Sequence, residues 1–158
     1  MSAPIHSEAG SAVGNLSPEV ELWSRLDALH ARITTTVEKA LHRRCSFGLS
    51  EFFALVALAN APEGELRMQE LTDVTHLNQS SVSRLVARLE RDGLAERRLC
   101  ERDRRGVYTG ITKQGQEALR DAAPVFENTL REEFTRLSVD PQLGPLLHRL
   151  KESTPDPA

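Results

Sequence analysis

The stretch NQSSVSRLVARLER, residues 78–91, carries side chains of the kind that read base edges, set out at helical spacing. Val82, Leu85, Val86 and Leu89 recur at i, i+3, i+4 and i+7, the pattern of one buried helix face. The opposite face holds Gln79, Ser80, Ser83, Arg84, Ala87, Arg88 and Arg91, with Asn78 as the cap. The first turn, Ser81 included, is small and polar, so it can donate and accept at base edges without holding the helix away from a groove. Further along, ERDRR (101–105) is charged at every position. It lies between two strand-like runs, LAERRL (94–99) and VYTGI (107–111). Arginines at a hairpin tip suit the electronegative minor groove of a duplex. Arg105 is the candidate for insertion there, Arg102 and Arg104 for phosphate contact, and Asp103 for a clamp on one guanidinium.

The elements needed to position these residues are legible nearby. RMQELTDVT (67–75) reads as a short helix with Met68, Leu71 and Val74 inward, and HLN is a tight turn. Two short helices joined in this way have helix-turn-helix spacing, and the hairpin after them makes a wing. Before them, SFGLSEFFALVALANAP reads as a mostly buried helix over 51–60, capped by Ser50, and EGEL as a loop. The first helix is expected over 18–44, with Ser17 as cap and Pro18 at its first position. Leu22, Leu26, Leu29, Ile33, Val37 and Leu41 form one continuous apolar stripe along it. At 1.5 Å per residue this helix is about 40 Å long, more than a small domain requires, which favours packing against a second copy. After Thr112 a long helix runs over 113–137, with Pro124 expected to kink it. A last helix is expected over 140–152, capped by Asp140 with Pro141 in its first turn.

The fold class is therefore mainly α with a small β-hairpin wing: a winged helix-turn-helix over about 50–112, flanked by N- and C-terminal dimerisation helices in a single domain, 17–152. Residues 1–16 read as a disordered leader and 153–158 as a frayed tail. The net charge of −3 conceals a strong segregation. Residues 79–113 carry nine basic and five acidic groups, a net +4, between flanks of −4 and −3. A basic surface on an acidic body is the electrostatic footprint of a polyanion binder. The longest apolar run, FFALVALA (52–59), is far too short to cross a bilayer, which takes roughly 20 residues, so no membrane partner is expected. The first fifteen residues lack the basic start and apolar block of a signal peptide. Two cysteines, Cys45 and Cys100, form no disulfide framework and fit a reducing cytoplasm. His42 and Cys45 supply at most half a metal site, so neither a metal nor any other cofactor is expected. There is no phosphate loop, nucleophile elbow or paired acid–base motif to indicate an enzyme.

DRRGVYTGITKQG resembles the wing signature of the MarR family of bacterial winged helix-turn-helix transcription regulators, and LNQSSVSRLVARLERDGLAERR resembles that family's recognition helix and first wing strand. The resemblance extends over about 17–152, with Ile111 where Leu is usual and Gly110 inside a wing strand, where it is expected to loosen the hairpin. It implies a homodimeric repressor whose two modules meet successive major grooves of a near-palindromic double-stranded site. Under it, Arg84 grips phosphate, Gln79, Ser80, Ser81 and Ser83 lie at base edges, and Arg105 with Asp103 forms the wing pair. It also implies a small-molecule effector in a crevice between the dimer helices and the winged module, for which Trp23, His30, His42, Phe47, Phe52 and Phe53 are the candidates.

Two alternatives stay open. Some relatives are thiol sensors, and Cys45 follows His42, Arg43 and Arg44, whose positive charge would favour a reactive thiolate. A winged helix can also dock protein instead of DNA, although such a module has no need of a basic tip.

Overall fold

The computed structural model describes residues 17–99 and 107–153. The leader, the tail and the tip with Cys100, Arg102, Asp103, Arg104 and Arg105 lie outside the described residues. Six α-helices and one small sheet follow in the order α1 (Pro18–Cys45), α2 (Leu49–Asn60), β1 (Glu65–Arg67), α3 (Met68–Thr75), α4 (Gln79–Arg91), β2 (Ala95–Leu99), β3 (Val107–Ile111), α5 (Lys113–Ser138) and α6 (Gly144–Glu152). The sheet is antiparallel with strand order β1-β3-β2.

The winged module closes over one core. Val82, Leu85, Val86 and Leu89 of α4 are buried against Leu71 of α3, Leu55 and Leu58 of α2, and Ile111 of β3. Each such side chain contributes about 1.5–3 kcal/mol through area removed from water. A second cluster, Leu29, Leu137, Leu143 and Leu147, joins α1, α5 and α6. Between α1 and α5 the buried Glu133 accepts from Arg32 Nε at 3.3 Å and from Arg136 at 3.1 Å, so its charge is paired from both helices.

Several boundaries differ from the sequence reading, each for a local reason. EGEL is not merely a loop: Glu65–Arg67 adds a third strand beside β3. Helix α2 begins at Leu49 with Gly48, not Ser50, as its cap. There the Gly48 N–H donates to Glu51 Oε2 at 3.2 Å, and the Leu49 N–H donates to Glu38 Oε2 of α1 at 2.6 Å, so a neighbouring helix completes the terminus. Val74 is 51% exposed and not part of the core. The final helix starts at Gly144; Asp140 instead holds a turn by accepting from the Gln142 and Leu143 N–H groups, both at 2.9 Å. Helix α5 continues through Pro124, which removes one backbone donor from the ladder.

Candidate nucleic-acid interface

Helix α4 is held by both ends. Asn78 Oδ1 accepts from the Ser81 N–H at 2.9 Å, the capping bond expected of an asparagine. At the other end Gly93 adopts φ 73°, which returns the chain. The Gly93 N–H then reaches Glu90 O at 3.1 Å and the Leu94 N–H reaches Leu89 O at 2.8 Å. This pair of bonds is a Schellman motif and satisfies two terminal carbonyls. The turn from α3 is equally tight, with His76 in the left-handed region at φ 55°.

The face turned away from the core carries Gln79, Ser80, Ser83, Arg84 and Arg88, all exposed, while Ser81 is half-buried. Ser80 Oγ donates to Asn78 Oδ1 at 2.8 Å, so these two are mutually oriented. Gln79, Ser83 and Arg84 have no side-chain partner among the described residues. Arg88 differs: its Nε lies 2.7 Å from Glu51 Oε1, tying α4 to the start of α2. Asn78, Gln79, Ser80, Ser83, Arg84 and Arg88, the candidates for DNA contact, are thus all exposed on this side of α4, with Ser81 half-buried at its edge and Arg88 engaged in an internal pair.

The sheet beside α4 contains contacts that sequence reasoning missed. On its outer face, Arg67 of β1 donates through Nε to Tyr108 Oη at 2.8 Å, with its guanidinium 5.0 Å from the ring centre. In the next row, Glu65 and Glu96 flank Gly110 across the three strands. Arg98 lies over Gly110: it donates to Glu96 Oε1 at 3.0 Å and to Ile111 O at 3.1 Å, and its Nη1 is 3.7 Å from Glu65 Oε2. A Cβ on Gly110 would fall 2.6 Å from the Arg98 guanidinium carbon. Gly110 therefore does not loosen the hairpin; it makes room for an arginine that ties the strands together. A glycine inside a strand was the available signal, since it often marks close approach of another group.

The six crevice candidates do not gather in one place. Trp23 and His30 lie on the exposed outer part of α1, and His42 is paired with Glu38 at 2.8 Å. Phe52 stacks on Phe126 of α5 at 4.6 Å, and Phe53 meets both rings edge-on. Phe47 alone of the six lines a described cavity, one of about 580 Å³ that also touches Cys45, Asp92, Gln114, Glu117 and Asp121. A second groove, about 560 Å³, runs between α1 and α5 past Arg43, Arg44, Pro124, Arg131 and Arg136.

The electrostatics of Cys45 reverse the expectation. Burial and the Asp121 carboxylate push its thiol pKa up, and Arg44 offsets this only in part. His42 is turned to Glu38 at 2.8 Å and Arg43 Nε donates to Lys39 O at 3.2 Å, so of the HRR run it is Arg44 that acts on the thiol. Among the described residues no cluster of three metal-ligating side chains occurs.

Comparison with known proteins agrees with this architecture. Residues 47–106 match the model of the MarR family. A stretch of 93 residues is 30% identical to the transcriptional repressor MprA of Escherichia coli (strain K12), covering 58% of this chain and 53% of that protein. The matched region thus spans about half the length of this curated relative. Among solved structures, AbsC, a MarR family transcriptional regulator from Streptomyces coelicolor, aligns with TM-score 0.70 and 27% identity over 87% of this chain and 98% of that one. Sco3205, a MarR family transcriptional regulator from the same organism solved in complex with DNA, aligns with TM-score 0.70 and 31% identity over 90% of this chain and 93% of that one. With that identity sustained across nearly the whole of a solved relative, and with the helix order and wing sheet described above, the chain belongs to the MarR family of transcriptional regulators.

Proposed function

We propose that the protein is a cytoplasmic, homodimeric repressor that binds near-palindromic double-stranded DNA, with α4 in the major groove and the arginine-bearing tip at the adjacent minor groove. The observation that carries this reading is the outer face of α4. Gln79, Ser83 and Arg84 are exposed there without a side-chain partner among the described residues, on a helix whose other face is locked into the core. Asn78, Ser80 and Ser81 form its capped first turn, which suits approach to base edges. Arg102, Asp103, Arg104 and Arg105 take the roles assigned from sequence, and the domain is taken as 17–152. Sco3205, captured with DNA, adds support from a relative.

Dimerisation is supported by an apolar surface that a monomer leaves in water. Trp23 is 69% and Val139 82% exposed, and Val20, Leu22 and Leu150 are also open. These residues belong to α1, α6 and the end of α5, beside the Leu29–Leu137–Leu143–Leu147 cluster, so a second copy would extend an existing core. Two-fold symmetry then sets half-sites roughly 34–36 Å apart.

Release by a small molecule is the regulation proposed. The cavity at Phe47 touches the end of α1, the end of α4 and the start of α5, so an occupant bears on the dimer helices and the recognition helix together. Such a ligand acts by its differential affinity for two arrangements of the modules. The thiol-sensing alternative loses ground, since the Cys45 thiol is pushed away from its reactive form.

The test is titration of duplex fragments, selected by the protein from genomic DNA, across a range of salt. Arg84→Ala is expected to weaken all duplexes alike, with the salt slope lowered by about one. A loss confined to one base position would show that Arg84 reads sequence and not phosphate. Absence of binding to any duplex at low salt would refute the DNA reading and favour a protein-docking module.

A further inference from the structure

We propose that Arg98 is a positioning residue for DNA binding: seated over Gly110 and bridging all three strands, it sets the direction in which the wing leaves the recognition helix. This rests on the DNA-binding reading above and adds a residue to it. Composition places Arg98 in the basic block, where it counts as one more charge for phosphate. The geometry gives it a different task.

Cross-strand pairing makes the outer face of the sheet a two-row grid. Arg67, Tyr108 and Arg98 form one row, and Glu65, Gly110 and Glu96 the next. From its own row Arg98 reaches diagonally into the second. Its Nε bonds Glu96 on β2, its Nη2 bonds the Ile111 carbonyl on β3, and its Nη1 faces Glu65 on β1. Three different strands are thus addressed by one planar fork, which a lysine's single ammonium cannot do. The arrangement requires position 110 to lack a Cβ, because that atom would meet Arg98 Cδ at 2.8 Å.

The consequence is directional. Strands β2 and β3 are the two arms that lead to residues 100–106, and β2 follows directly from the Gly93 turn at the end of α4. A two-stranded ribbon alone is marginal and twists freely, whereas a third strand fastened to it gives a defined plane. Strand β1 has only three residues, so its backbone ladder is short and side-chain ties share in holding it: Arg67 to Tyr108 at 2.8 Å on one row, and Arg98 to Glu65 at 3.7 Å across to the next. Losing the Arg98 contacts leaves β1 held by its short ladder and the Arg67–Tyr108 bond alone, and so loosens the direction of the arms relative to α4. Any charge at the tip then meets the groove in fewer of the conformations in which α4 is docked, and its contribution to affinity is diluted.

A double-mutant cycle separates this role from a phosphate contact. Binding of an A·T-rich duplex of about 30 base pairs at low salt would be measured for Arg98→Ala, Arg98→Lys, Arg105→Ala and Arg98→Ala with Arg105→Ala, all at full length. Arg98→Ala is expected to weaken binding about tenfold, and Arg98→Lys nearly as much, since charge without the fork leaves the strands unbridged. The double variant is expected to bind like Arg105→Ala alone, because the strut has nothing left to orient. Retention of near wild-type affinity by Arg98→Lys would mean that charge alone matters and would overturn the proposal. So would additive losses in the double variant, or no loss in Arg98→Ala. If the wild-type protein binds no duplex at all, the DNA reading itself fails and takes the strut with it. That outcome is distinguishable from additivity in a protein that binds. Gly110→Val supplies an independent arm: it evicts Arg98 without removing charge and is expected to match Arg98→Ala.

Discussion

Replacing Gly115 with alanine should destabilise the joint on which the wing and helix α5 both hang. Gly115 stands in the first turn of α5, where its N–H donates to Thr112 Oγ1 at 2.9 Å. The same hydroxyl donates to Gly93 O at 2.7 Å, and the Thr112 N–H donates to Leu94 O at 3.1 Å. A Cβ at position 115 would run into that Leu94 carbonyl oxygen, and would lie 2.9 Å from Ile111 Cγ1 and 3.0 Å from the Leu94 carbonyl carbon. The carbonyl cannot rotate aside. Its oxygen is held by Thr112, and the Leu94 N–H is already committed to Leu89 O.

Overpacking a tight site costs about 1–3 kcal/mol, and an obstacle made of backbone belongs at the upper end. Disturbing the Thr112–Leu94 bond adds about 1 kcal/mol. The better helix propensity of alanine returns at most about 1 kcal/mol. The net loss is about 2–3 kcal/mol, which in a chain of this size lowers the melting temperature by about 5–10 °C. Circular dichroism melts at one fixed protein concentration measure it, since association shifts the midpoint. Gly48→Ala is the matched comparison. There the new Cβ meets Glu38 Oε1 at 2.5 Å and His42 Nε2 at 3.0 Å, the far ends of two side chains that can swing away. Its cost should stay near the 1 kcal/mol of the Glu38 cap on Leu49. Equal losses in the two variants, or a Gly115→Ala protein that melts with the wild type, would refute the claim that backbone contact at Leu94 is what demands glycine.

Alkylation of Cys45 at neutral pH, in a Cys100→Ser background, should run slower than that of a free cysteine and accelerate as pH rises, because burial and Asp121 both disfavour the thiolate. Asp121→Asn should speed it, and an unchanged rate would remove Asp121 as a cause. In the proposed homodimer, Leu22→Asp should weaken self-association about 100-fold or more, since two-fold symmetry would place the charge and the lost apolar contact in the interface twice; sedimentation showing an undiminished dimer would move the interface away from the outer part of α1.

The elements whose information is local were legible before the structure. The i, i+3, i+4, i+7 pattern of α4, its Asn78 cap and the glycine after it all act within one turn of the chain, and all hold. The wing strands were legible for the same reason. What escaped depends on partners distant in sequence. Strand β1 is three residues long and exists because β3 offers its free edge some forty residues later. The start of α2 is completed by Glu38 on another helix, which made Gly48 a usable cap and Ser50 unnecessary. Asp140 satisfied the local pattern of a helix start, but its carboxylate instead closes a turn, and the helix waits for Gly144. At the candidate site the same division applies. Which face of α4 points outward follows from its apolar stripe, whereas which arginines are free on that face does not.

That last distinction changes what the basic block means. Of the arginines between 79 and 99, Arg84 has no partner among the described residues, while Arg88, Arg91, Arg97 and Arg98 each face a carboxylate. How readily a phosphate can take such an arginine over depends on the carboxylate it would abandon. Asp92, opposite Arg91, is 42% exposed and is re-solvated at little cost. Glu90, opposite Arg97, is 25% exposed, an intermediate case. Glu51, opposite Arg88, is only 14% exposed and also accepts the Gly48 N–H, so removing its cation strands a largely buried charge. Arg88 therefore ties α4 to α2 and is expected not to transfer to phosphate, despite its place on the outer face of α4. Counting charge along the chain overstates the counterions released on binding. A salt slope that falls by about one for Arg84→Ala but stays level for Arg88→Ala, even as stability drops in the latter, is the outcome this sorting requires.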